Sequence, residues 1–176
     1  MRYLMPVALV AAALVTATLF AGAASAQEPG SKATRDYVQA AGQSDAFEML
    51  EAQTALTESH DPQVRAFAQA MLADHGRTSQ ALQQATATSG LKPPPMVVGA
   101  DQAPLLGALQ GLRGREFDQA YWRHQVLGHR SALTMTQMYA ASGDDAAVRQ
   151  AAQSAVPIIQ AHLQQAEQMA AATGDS

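Results

Sequence analysis

Apolar residues recur at steps of three and four along several long stretches of the chain, the spacing that lines one face of an α-helix. From about 34 to 59 the stripe is Val38, Ala41, Glu48, Ala52, Ala55 and Leu56. From about 62 to 89 it is Val64, Phe67, Ala68, Met71, His75, Thr78 and Leu82. From about 145 to 173 it is Val148, Ala152, Ala155, Ile159, His162, Ala166 and Met169. The stretch 115–142 is apolar around most of its circumference, with a polar line through Asp118, Gln125 and His129. Tyr121 and Ala132 flank that line on one side, Trp122 and Leu133 on the other.

Punctuation agrees with four helices. Asp61-Pro62 is a start signal, an Asp cap with proline at the first helical position. Gly90 and Gly143 follow the last periodic residues of their stretches, where a helix ends. Pro93-Pro94-Pro95 excludes helix in the middle of the chain. Asp101 is placed to cap a short helix bearing Leu105, Leu106, Leu109 and Leu112, closed by Gly111 and Gly114. Pro157 lies inside the last helix and predicts a kink or a missing backbone hydrogen bond.

Connection lengths then predict topology. The first and second long helices are joined by two or three residues, and so are the third and fourth, so each pair is an antiparallel hairpin. Between the pairs lie about 25 residues, enough to cross the height of a bundle. The expected fold is all-α: a ferritin-like four-helix bundle over 34–173, two antiparallel hairpins joined by a long crossover containing a short helix. A plain up-down bundle with the middle segment packed as a cap is the alternative.

The first 26 residues do not fit that pattern. Arg2 is their only charged residue, Leu4 to Ala21 is almost wholly apolar, and Ala24-Ser25-Ala26 supplies small residues for a signal peptidase. We read 1–26 as a signal peptide cleaved after Ala26 and 27–33 as a flexible leader. The apolar run is long enough to span a bilayer, so a retained anchor is the competing reading. With no cysteine for lipid attachment, cleavage leaves no stable membrane anchor and a periplasmic protein.

Composition narrows the chemistry. The chain has a net charge of −4 and scattered basic residues, which disfavours nucleic acid and anionic membranes as partners. The absence of cysteine excludes disulfides, thiol catalysis and iron–sulfur clusters. No phosphate-binding loop, Ser-His-Asp pattern or other established catalytic motif stands out.

What remains is a set of polar residues where the core belongs. Glu48, His75 and His162 interrupt apolar stripes and His129 lies on the polar line of its helix, all four close to the midpoints of their helices. At a rise of 1.5 Å per residue all four fall within about 5 Å of one level, whichever way each helix runs. One helix each thus supplies Glu48, His75, His129 and His162 to a shared layer, the way bundles build metal sites. The Glu-x-x-His signature of di-iron proteins is absent, since Leu72 precedes His75 by three and Ile159 precedes His162 by three. Three imidazoles and a carboxylate suit a single zinc, iron, copper or nickel ion. Asp74 and Asp118 are candidates to orient an imidazole from outside. The competing reading is a structural layer in which buried His and Glu satisfy one another. His60 falls in a turn, His124 reads as a surface or packing residue, and the methionines read as core filler.

The residues also resemble an exported bacterial family, the domain-of-unknown-function family 4142. The likeness runs through Tyr37-Val38 with Ala40-Ala41, Phe47-Glu48, and Val64-Arg65-x-Phe67-Ala68-x-x-Met71-x-x-Asp74-His75. It continues through Phe117-Asp118-x-x-Tyr121, His129 and Pro157-x-x-x-x-His162, covering about 34–172. The resemblance implies a ferritin-like four-helix domain behind a signal peptide and no established activity. The family's recurrent polar positions map onto Glu48, Asp74, His75, Asp118, His129 and His162; Gln125 departs from it, standing where an apolar residue is usual. Three functions follow in order. The first is a periplasmic transition-metal-binding protein; the second is an envelope interaction module with a structural polar layer; the third is a hydrolytic or redox enzyme with an open metal position.

Overall fold

The computed structural model describes residues 29–174, so the signal-peptide reading of 1–26 lies outside the described residues. Five helices and no strand occur among them: α1 Lys32–Glu58, α2 Pro62–Thr88, α3 Ala103–Gln110, α4 Gly114–Ser142 and α5 Ala146–Ala172. The four long helices form the bundle and none of the five is long and apolar enough to cross a membrane.

Local chemistry sets the boundaries. Asp61 accepts from the Gln63 and Val64 amides at 2.7 and 3.3 Å, with Pro62 beginning α2. Asp145 accepts from the Val148 amide at 2.9 Å and starts α5. Ser31 accepts from the Thr34 amide at 3.0 Å, so α1 begins two residues earlier than expected, inside the segment read as leader. At Gly90 the chain turns left-handed with φ +65°. The Leu91 amide then reaches back 2.9 Å to the Thr86 carbonyl and closes α2. Two details differ from expectation. Asp101 caps nothing; α3 starts after Gln102 with no side-chain cap. Of its three leucines only Leu109 is fully buried, because the short helix touches the bundle along a single edge, and Leu112, expected on it, lies past its end. Helix α5 passes through Pro157 without ending, with the ring on the exposed face where water can meet the carbonyl it leaves free.

Contacts at the two ends give the directions of the helices. At one end, the hydroxyls of Thr34 (α1 start) and Tyr139 (α4 end) lie 2.6 Å apart, and Ser89 after α2 donates to Asp145 before α5 at 2.8 Å. At the other, Ser59 after α1 donates to Asp118 near the α4 start, and Gln119 donates to the Thr173 carbonyl after α5. Helices α2 and α4 therefore run the same way, and the segment between them climbs the whole bundle. It leans on α1 at Gly42, where a Cβ would sit 2.7 Å from both Pro94 and the Pro95 carbonyl.

The apolar core falls into two clusters. One, around Phe67, Met71, Phe117, Tyr121 and Trp122, fills the end where α4 begins. The other, around Tyr37, Val38, Leu82, Tyr139 and Val148, fills the opposite end. Burying a side chain of Phe67's size contributes about 1.5–3 kcal/mol. Glu48, His75, His129 and His162 lie between the clusters.

Candidate metal centre

His75 on α2, His129 on α4 and His162 on α5 meet in that middle layer, with relative exposures of 5, 1 and 6%. Their ring centroids are 5.8 Å (75–129), 5.7 Å (75–162) and 5.3 Å (129–162) apart. One ligating nitrogen from each lies within 4.8 Å of the others. Phe67 stands edge-on to His129 and His162 at 6.5 and 5.8 Å and seals one side with hydrocarbon.

Every ring is held from outside. His129 Nδ1 donates to the Gln125 carbonyl at 2.8 Å, one helical turn back. His75 Nδ1 donates to Asp45 of α1 at 2.7 Å, and His162 Nε2 donates to Asp74 of α2 at 2.8 Å. Asp45 is itself anchored by the Ser79 hydroxyl at 2.6 Å, and Asp74 by Arg77. A carbonyl or carboxylate can only accept, so each assigns the proton to the outer nitrogen and leaves the other as a lone pair. Those other nitrogens, His75 Nε2, His129 Nε2 and His162 Nδ1, are buried and have no partner. Leaving a buried acceptor unpaired costs about 1–3 kcal/mol, and here three share one layer.

Electrostatics keeps two of the rings, His129 and His162, neutral. Burial, and then the neighbouring His75 ring, lower His129 from 6.5 to about 3. Burial lowers His162 too, against the pull of Asp74. Neutral imidazole is the form that binds a metal. The spacing also fits. Metal–nitrogen bonds of about 2.0–2.1 Å at tetrahedral angles separate ligand nitrogens by about 3.3 Å, so small ring rotations close the present gap. The carboxylates behind the rings supply negative charge and the outer hydrogen bonds that metal-bound histidines require.

Glu48 does not join the three imidazoles. It lies one turn along α1 from Asp45, and its Oε1 is 3.8 Å from the outer nitrogen of His129, behind that ring rather than among the free lone pairs. Its partners are on α4: the Gln125 amide donates to Glu48 at 2.7 Å and to Glu51 at 3.1 Å. His124 closes the set with 2.6 Å to Glu51. Gly128 makes room, since a Cβ there would collide with the Glu48 carboxylate. Burial and the Glu51 charge push the Glu48 carboxyl well above the usual range, and burial raises Glu51 too. Helix α1 thus reaches the imidazoles through Asp45, one turn before Glu48, and not through Glu48 itself. Of the two outer carboxylates expected, Asp74 stands behind His162, whereas Asp118 binds Ser59 at the end of the bundle. His124 is half-buried against Glu51, the packing rather than the surface alternative of its reading, and His60 is exposed.

Residues 19–169 match the family described as a domain of unknown function, DUF4142. The chain belongs to the DUF4142 family. Two solved structures share the fold of this DUF4142 chain. A DUF305 fragment from Deinococcus radiodurans superposes with a TM-score of 0.70 at 16% identity, covering 81% of this chain and 98% of that one. CopM in the Cu(II)-bound form superposes with a TM-score of 0.66 at 15% identity, covering 78% of this chain and 95% of that one. No curated protein matches the chain.

Proposed function

We propose that this DUF4142 protein binds one transition-metal ion through His75, His129 and His162, and that copper is the ion it is built for. The supporting observation is the set of three unpartnered, inward ring nitrogens, each with its outer nitrogen donating to a fixed acceptor. A purely structural layer is expected to satisfy its own members, and one trapped water has only two protons for three acceptors. Among divalent first-row ions an imidazole site holds copper most strongly, followed by nickel or zinc. CopM, which shares the fold, has a Cu(II)-bound form. The proposed setting is the periplasm, after loss of residues 1–26, and the proposed role is metal handling in the envelope.

Metal content of tag-free protein from the periplasm, followed by thermal unfolding with added copper, tests this reading. The expected result is about one copper per chain; at a free copper concentration near 100 Kd the gain is about 2.7 kcal/mol. For a chain of this size that raises Tm by about 5–10 °C. Substoichiometric metal with no thermal shift from copper, zinc, nickel or iron would leave only the structural layer.

A further inference from the structure

The three imidazoles are too deeply buried for an ion to reach them from solvent without a path. A cavity of about 40 Å³ lies beside them between the helices; its wall includes Asp45, Asp74 and His75 and, toward the end where α1 begins, Tyr37 and Met135. Outside, a groove between α1 and α4 is lined by Asp36, Met138 and Asp144, and again by Tyr37 and Met135. Tyr37 and Met135 therefore border both spaces.

They differ in freedom to move. The Tyr37 ring stacks on Tyr139 with centroids 4.2 Å apart, and its hydroxyl bonds Thr136. Met135 is half-buried, unbranched and held only by packing against that cluster. Its thioether swings at small cost. Met138 sits one turn further along α4, 68% exposed, with no core to fill. Residues three apart on a helix are neighbours, so the two sulfurs can meet over the groove. Thioethers are soft donors that select monovalent copper over harder divalent ions. Asp36 is paired with Lys32, but the carboxylate of Asp144, which accepts from the Ser31 and Thr34 hydroxyls, raises the local concentration of cations at the groove.

We propose that Met138 and Met135 form a thioether transfer site that captures monovalent copper in the groove and passes it inward to His75. This rests on the metal reading of the three imidazoles. The ion moves from two weak, soft donors at the surface to three imidazoles inside, with Met135 as the moving part and Tyr37 as the fixed wall. No change of oxidation state is involved.

The test compares uptake rates with equilibrium affinity in the full exported chain. Cu(I) transfer from its bicinchoninate complex and Zn(II) transfer from a chromogenic chelator are followed by stopped-flow absorbance. In the Met135→Leu/Met138→Leu double variant, Cu(I) uptake slows about tenfold or more while Zn(II) uptake and Cu(I) affinity stay within about twofold. Met138→Leu alone, at an exposed position that cannot unfold the protein, slows Cu(I) uptake in the same direction. Met169→Leu, on α5 in the other cluster, leaves both rates unchanged. Uptake of Cu(I) by the double variant at the wild-type rate, or equal slowing of both ions, overturns the transfer site while the imidazole site stands. A wild-type chain that takes up neither ion overturns both.

Discussion

Two buried polar groups sit one helical turn apart in this bundle, and they resolve their burial in opposite ways. In one, Glu48, Glu51, Gln125 and His124 of α1 and α4 bond one another, the Gln125 amide bridging both carboxylates. In the other, His75, His129 and His162 turn their donors outward to Asp45, Gln125 and Asp74 and leave their acceptors facing inward without partners. Gln125 belongs to both, through its side chain in the first and its carbonyl in the second. Burial of charge-capable residues is common to the two regions. What separates them is the number and direction of the lone pairs: the first group leaves one buried acceptor, Gln125 Oε1, without a partner, whereas the imidazole layer leaves three in one place.

Substitutions should separate the two regions most sharply through metal affinity. His75→Ala or His162→Ala removes a ligand and lowers copper affinity by well over the roughly 10–100-fold typical of losing an outer partner, whereas Glu48→Gln leaves it within about threefold. Competition titration against a chelator of known affinity reads both. Next in size is the outer layer. Asp45→Asn and Asp74→Asn each weaken copper binding by about 10–100-fold, because the amide no longer fixes the ring's proton and orientation. If Glu48→Gln proved as costly as Asp45→Asn, the division drawn between the regions would be wrong.

Stability of the metal-free protein gives a smaller and opposite signature. His129 falls from 6.5 to about 3 on folding. As pH drops below about 6.5 the unfolded chain takes up a proton there that the folded chain refuses. Stability therefore falls with acidification down to about pH 3, by at most about 1.4 kcal/mol per pH unit for this group. Glu48 works the other way. Its folded carboxyl is raised, so its contribution is complete below about pH 4.5 and is lost as pH rises through the folded value. Glu48→Gln should consequently steepen the acid-side loss and gain about 1 kcal/mol at pH 8, as read by urea unfolding across pH. A variant whose pH profile matches the wild type would show that Glu48 carries no raised carboxyl.

Packing effects come last. Gly128→Ala forces the Glu48 carboxylate to shift and costs about 1–3 kcal/mol of stability, with copper affinity little changed. Gly42→Ala drives a methyl against the crossover at Pro94 and Pro95 and costs a similar amount. Urea midpoints of the metal-free variants measure both.

Much of this was legible in the chain. Prolines, capping aspartates and glycines mark the helix ends because their backbone restrictions act locally. The imidazole layer was legible because His75 and His162 occupy apolar stripes and His129 a polar line between apolar flanks, all near helix midpoints, and a midpoint is insensitive to helix direction. Glu48 was harder. It and Asp45 are three residues apart on nearly the same face of α1, and periodicity does not say which of them reaches across to α2 and which to α4. The structure gives Asp45 to His75 and Glu48 to Gln125. Asp118 was excluded by distance alone: eleven residues from His129 on one helix is about 16 Å, too far to support that ring. The Glu51–His124 pair went unseen because each residue looks surface-like on its own helix, and only the close approach of α1 and α4 buries them together.

Anomalous diffraction at the copper edge, from crystals of the copper-loaded full chain, tests the central claim most directly. The account predicts one peak between α2, α4 and α5, about 2.0–2.1 Å from His75 Nε2, His129 Nε2 and His162 Nδ1. A peak seated instead at Glu48 and Glu51, or none inside the bundle while the three inward nitrogens hold water, would contradict it.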